Sequence, residues 1–144
     1  SRESIQAMVI GEHGENMLPL IRFSSIGGIP LKDLLSGEES SKIFEKTKSV
    51  AAEVISLKGA TVYAPGNAVA TMIESIVKDK KMVIPVSANV QGEYGISELC
   101  IEVPVVLASQ GIEKIIELDL DKSERSIFEL GVKSVKEAIK SLGL

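Results

Sequence analysis

The chain has 144 residues, 44% hydrophobic and 25% charged, with 16 Lys and Arg against 20 Asp and Glu for a formal net charge of −4. That length suits one domain with its own core, and the acidic balance excludes the basic stripe of a nucleic-acid binder. Aromatic residues make up 3% with no Trp, so the core must be built from Ile, Val, Leu, Ala and Met.

In chain order, "IQAMVI" (5–10) and "MLPLIRFS" (17–24) read as short strands on either side of "GEHGE" (11–15). "IGGIPLKDLLSG" (26–37) reads as a loop punctuated by glycine and proline. Ser36 and Glu39 stand at capping-box spacing, and the segment to Leu57 carries a 3.6-period stripe. Ile43, Val50, Val54 and Leu57 lie on one side of it, with Phe44, Ala51 and Ile55 beside them. Gly59 ends this amphipathic helix. A second helix is expected from "PGNA" (65–68) to about Lys78, burying Val69, Met72, Ile73, Ile76 and Val77, with "DKK" (79–81) as its stop. Three strands in meander order follow: "MVIPVSANV" (82–90), "LCIEVPVVLA" (99–108) and "KIIELDL" (114–120), joined by "QGEYG" and "SQG" turns. Pro85 and Pro104 suggest edges or bulges. A last helix begins at "DKSE" (121–124), buries Ile127, Leu130, Val135, Ala138, Ile139 and Leu142, and ends at Gly143. Strands and helices come in groups, which points to a single α+β domain over residues 1–144, not a doubly wound parallel sheet.

Most chemical motifs are absent. There is no G-x-G-x-x-G or G-x-x-x-x-G-K-[ST] phosphate cradle and no G-x-S-x-G elbow. One His and one Cys far apart make no zinc set, so no metal site is expected. Cys100 is single, which excludes an internal disulfide and fits a reducing cytoplasm; in its apolar run it reads as a buried structural thiol. No apolar run approaches the roughly 18 residues of a membrane span, and "SRESIQ" has no signal-peptide pattern. A soluble cytoplasmic domain is the expectation. His13 is the one residue suited to proton exchange near neutrality. Gly11 and Gly14 permit a tight turn that would aim its ring outward between two supporting strands. A general acid–base role and a turn histidine capping backbone groups both remain open on spacing alone. "GATVYAPGNA" (59–68) sets Thr61 in a helix–helix connection, where a plain turn is the simpler reading.

Three stretches carry a resemblance. "VIGEHGENMLPLIRFSSIGGIPL" resembles the catalytic-histidine segment of the NAD-dependent malate and lactate dehydrogenases. "LKGATVYAPGNAVATMIESIVKDKKMVIPVSANVQGEYGI" and "VPVVLASQGIEKIIEL" are similar to later parts of the same C-terminal, substrate-side domain, collinear over nearly all of the chain. The resemblance implies antiparallel strands packed with long amphipathic helices. It also implies that His13 takes the substrate hydroxyl proton as hydride leaves for the nicotinamide, that Thr61 lines the substrate pocket, and that Pro65 lies near the nicotinamide-facing wall. "YAP" at 63–65 is more familiar from malate than from lactate enzymes.

The family's Rossmann domain, its substrate-binding arginines and the aspartate that orients the imidazole would all lie upstream of Ser1; Arg2 and Arg22 do not fall on those motifs. The resemblance therefore implies the catalytic domain of an NAD-dependent 2-hydroxy-acid dehydrogenase, malate before lactate. NAD would be held mainly by the missing domain, and a dimer or tetramer is expected. The second reading is a non-catalytic oligomerisation domain, supported by the long apolar helix faces.

Overall fold

The computed structural model describes residues 1–143. Eight strands and three long helices form an α+β domain: β1 (Ile5–Gln6), β2 (Val9–Gly11), β3 (Met17–Pro19), β4 (Ser25–Ile26), β5 (Ile29–Pro30), α1 (Gly37–Lys58), α2 (Tyr63–Val77), β6 (Met82–Gln91), β7 (Ser97–Ala108), β8 (Gly111–Ile115) and α3 (Lys122–Ser141). The main sheet runs β3-β2-β7-β6, with β8 paired to β7, and every pairing is antiparallel.

The N-terminal apolar runs are more broken than expected. "IQAMVI" divides between two sheets, since Ile5–Gln6 pairs with β4 while Val9–Gly11 pairs with β3. After Pro19 the second run turns into a single 3-10 turn at Ile21–Phe23. The buried Ser24 hydroxyl fastens that turn, donating to Leu20 O and accepting from Met8 N–H. The expected loop over 26–37 holds a two-stranded ribbon, β4–β5, closed by Gly27 and Gly28 at positive φ.

β6 and β7 are the backbone of the core. Val86, Ala88 and Val90 of β6 and Leu99, Ile101, Val103, Val105 and Leu107 of β7 are buried, and the intervening residues of the β6 set, Ser87 and Asn89, are exposed. That is the alternation of a sheet with one face on the core. Pro85 and Pro104 stand opposite each other. Pro85 is on the outer strand, where an absent N–H is harmless, and Pro104 falls where the far edge of β7 passes from β2 to β8. The irregularities in register lie elsewhere, at Val90–Gln91 and Val106–Leu107. The third strand ends at Ile115, so residues 116–120 of the expected run are an extended link to α3. Tyr94 anchors that link: its hydroxyl donates to Ile116 O and accepts from Leu118 N–H.

All three helices form, but their buried faces differ from the expected ones. α3 opens on the Asp121–Glu124 capping box and buries Phe128, Gly131 and Val132, with Ile127, Val135 and Ile139 half-buried. Leu130, Ala138 and Leu142 are exposed, because the stripe is centred on Gly131, a residue with no apolar side chain to count. α2 rests on β7 through Met72, Ser75 and Ile76, at i, i+3, i+4 spacing, and the Ser75 hydroxyl donates to Leu107 O. Val69, Ile73 and Val77 lie on the turned-away side and are exposed. α1 has its Ser36–Glu39 capping box and a left-handed Gly59 at its end, yet none of its 22 residues is buried. The caps mark both ends of this helix, while Ile43, Val50, Ile55 and Leu57 remain exposed.

Gly131 sets the distance between α3 and the β2–β3 hairpin. A Cβ there would stand 3.1 Å from the backbone N of Glu12 and 3.4 Å from Asn16 O. Alanine normally gains about 1 kcal/mol over glycine inside a helix, but overpacking against backbone costs about 1–3 kcal/mol. Gly131→Ala is expected to lower the urea midpoint of unfolding despite its better propensity. A raised midpoint would show that α3 can back away freely.

Candidate active site

His13 sits in the five-residue connection of the β2–β3 hairpin, whose register pairs Val9 with Pro19, Ile10 with Leu18 and Gly11 with Met17. Ile10 and Leu18 are buried, so the strands beneath the turn are fixed in the core. Gly11 has φ +92° and lies against the Phe128 ring, where a Cβ would be 3.4 Å from it. A side chain at this position would meet both the wrong backbone region and the ring.

Glu12 organises the turn. One carboxylate oxygen accepts from the Asn16 backbone N–H at 3.1 Å and from its side-chain amide at 2.6 Å. The other accepts from the Ser134 hydroxyl of α3 at 2.9 Å. Burial pushes the Glu12 carboxyl up, but the hydrogen bonds from Asn16 and Ser134 outweigh it and hold the group below its ordinary range. Gly14 completes the packing, since a Cβ there would stand 3.1 Å from a Glu12 carboxylate oxygen. The result is a stiff turn whose histidine points outward: the His13 side chain is 95% exposed.

The imidazole stands at a concavity of about 530 Å³ between the turn, β6, β7, α2 and α3, with Ala68, Met72, Ser87 and Val135 on its walls. That volume lies within the ordinary range of small-molecule sites. Glu102 of β7 is also there, with a carboxylate oxygen 3.7 Å from His13 Nδ1. Cys100, expected to be a buried thiol, is instead exposed and lines the same concavity. Leu99, Ile101 and Val103 take the core side of β7, so Cys100 and Glu102 alternate onto the other.

Thr61 lies in the exposed Gly59–Val62 connection and Pro65 in the first turn of α2. Neither reaches the concavity, although Ala68, one turn after Pro65, does. The N-termini of α1 and α3 are closed by their own carboxylates through the capping boxes, whereas α2 has no side-chain cap. Arg22 is engaged structurally: it grips Glu124 with Nε and Nη2 at 3.0 and 2.6 Å and donates to Asp119 O. Among the described residues no group of three or more His, Cys, Asp or Glu could hold a metal ion, and no helix is long and apolar enough to cross a membrane.

The sequence singles out His13 as the candidate, but neither the bracing by Glu12 nor the nearness of Glu102 follows from it. Glu12 was in view inside "GEHGE", but its bond to Ser134 spans the length of the chain. Glu102 had a signal in the sequence, as the only charge in "CIEVPVVLA".

Residues 1–142 match the family of the lactate/malate dehydrogenase α/β C-terminal domain. The malate dehydrogenase of Cytophaga hutchinsonii is 43% identical over 143 residues, covering 99% of this chain and 46% of that protein. The solved malate dehydrogenase of Salinibacter ruber superposes with a TM-score of 0.95 at 39% identity, over 99% of this chain and 47% of that one. A lactate dehydrogenase from Eimeria maxima, solved with NADH and oxamate, gives 0.92 at 37% identity, over 99% and 47%. The chain thus spans about half the length of the relatives it matches, and it belongs to the lactate/malate dehydrogenase family, whose α/β C-terminal domain it represents.

Proposed function

We propose that this chain is the catalytic, substrate-side domain of a cytoplasmic NAD-dependent malate dehydrogenase, with His13 as its proton carrier. The observation that carries the reading is the exposed imidazole on a turn braced by Glu12, at the edge of a concavity large enough for a small molecule. In the oxidising direction His13 takes the proton of the C2 hydroxyl, and in the reducing direction it returns that proton to the carbonyl oxygen of the 2-keto acid. A bound nicotinamide supplies the hydride acceptor. The His13 ring is exposed and would be open to it, and we assign Pro65, in the uncapped first turn of α2, to the wall beside it in the complete enzyme; the capped N-termini of α1 and α3 offer no free anion site for a pyrophosphate. We assign the pyrophosphate and the substrate carboxylate to a cofactor-binding domain outside these residues. Malate is favoured over lactate by the "YAP" stretch and by the names of the curated relatives. The exposed apolar stripe of α1 favours association into a homo-oligomer, dimer or tetramer.

Three outcomes check this reading. In the complete enzyme His13→Asn lowers kcat by about 10²–10⁴-fold, the usual worth of general acid–base catalysis, with NADH binding preserved; near-normal turnover would remove His13 from the mechanism. We keep Thr61, which lies outside the concavity that this domain forms alone, as a pocket residue of the complete enzyme; Thr61→Val then removes a hydroxyl whose hydrogen bond to substrate would be worth about 0.5–1.5 kcal/mol. Steady-state constants for the keto acid should therefore change severalfold, while the unfolding midpoint holds because Thr61 is exposed. The reverse pattern would make Thr61 a structural turn residue. Finally, a fluorescence titration of the 144-residue chain alone should give no saturable NADH binding, and saturation would overturn the placement of cofactor recognition elsewhere.

A further inference from the structure

A hydroxyl inside a helix ordinarily bonds back to a carbonyl of the preceding turn. Thr47, Ser49 and Ser56 of α1, Thr71 of α2 and Ser141 of α3 all do so. Ser134 does not. Its hydroxyl leaves α3 and donates to Glu12, 122 residues earlier in the chain, at 2.9 Å. Among the described residues it is the one side chain outside the histidine turn that donates a hydrogen bond into it, since the other donors to Glu12 come from Asn16. Gly131, three residues before Ser134 and so on the same face of α3, lets the helix come so near that a Cβ there would stand 3.1 Å from Glu12 N. Val135, the residue after Ser134, lines the concavity at His13. One turn of α3 therefore carries both the anchor of the histidine turn and a wall of the cavity that the histidine borders.

Asn16 belongs to the turn that Glu12 braces, so its two hydrogen bonds fix the shape of the turn. Ser134 belongs to another element, so its bond fixes the place of the turn. We propose that Ser134 is a positioning residue for the reaction: by holding Glu12 it sets the distance of the neighbouring His13 from α3 and from the cavity wall at Val135. Without that donor Glu12 Oε1 keeps no hydrogen bond. The turn then stays folded on itself but can shift against the helix. A misplacement of about 1 Å between reacting groups is enough to cost roughly 10²-fold in rate. The orientation of the imidazole ring lies outside this role, because the resemblance gives it to an aspartate upstream of Ser1.

The inference rests on the reading of His13 as proton carrier, and the test separates the two. Single-turnover oxidation of NADH by the keto acid is followed in the full-length protein, with each variant assayed well below its own unfolding midpoint. Ser134→Ala should slow hydride transfer about tenfold, part of the penalty that misplacement carries, with the keto-acid KM within about twofold because no substrate contact is removed. Ser134→Thr, which keeps the hydroxyl, should recover most of the rate. In a Glu12→Ala background the further change Ser134→Ala should alter nothing, since the two residues act through one bond. A full rate in Ser134→Ala beside an inactive His13→Asn overturns the role of Ser134 and leaves His13 in place. An undiminished effect of Ser134→Ala in the Glu12→Ala background also overturns it, because the hydroxyl then acts by another route. Near-normal turnover in His13→Asn overturns the reading of His13 and the positioning role together.

Discussion

The bond between Glu12 and Ser134 joins the first hairpin of the chain to its last helix, and the histidine turn depends on that link. A five-residue connection between three-residue strands is short of local constraints. Left alone it would sample several shapes. Glu12 removes that freedom by accepting twice from Asn16 within the turn and once from Ser134 across the fold. Three donors to one carboxylate outweigh the burial that would otherwise raise its pKa, so it stays charged at working pH. Gly131 makes the link possible, because any side chain there would hold α3 off the Glu12 backbone. A rigid α3 thus acts as the buttress of the site, and the position of the imidazole is set by helix packing more than by the loop sequence.

The remainder of the fold supports that buttress. Phe128 is 1% exposed, packs on Tyr94 at 5.1 Å between ring centres and closes over Gly11. Tyr94 in turn holds the link that leads into α3 through Ile116 and Leu118. Arg22 pins the capping box of the same helix from the other side, since it grips Glu124 while Glu124 accepts from Asp121 N–H. In a chain with 3% aromatic residues, two of the few rings are spent where the hairpin, sheet and helix meet.

Much of this was legible in the sequence, and the misses share a cause. Helix boundaries were readable because caps are local: Ser36–Glu39, Asp121–Glu124 and Gly59 act within four residues of themselves. The strands β6 and β7 were readable from their apolar runs and flanking turns. Burial was not, because it depends on which neighbour a face meets. Val69 and Ile73 belong to a good apolar stripe of α2, but the sheet contacts the adjacent line of Met72, Ser75 and Ile76. Leu130 and Leu142 look like core residues and are exposed, while Gly131, which has no hydrophobicity to count, is buried at the centre of the interface. Cys100 failed for the opposite reason, since an apolar run concealed the period-2 alternation that turns it outward.

His13 was identifiable because it is the only histidine and is bracketed by glycines. The carboxylate 3.7 Å from its Nδ1, however, stands on a strand 89 residues later in the chain, brought beside it by the Gly11–Glu102 pairing. A shift of one residue in that pairing would replace Glu102 with Ile101 or Val103, both core residues, and leave the imidazole beside no acceptor from β7. Register in the core and partner choice at the histidine are therefore one constraint. The apolar side chains that hold β7 in place, Ile101 and Val103 among them, also determine which charge faces the His13 ring.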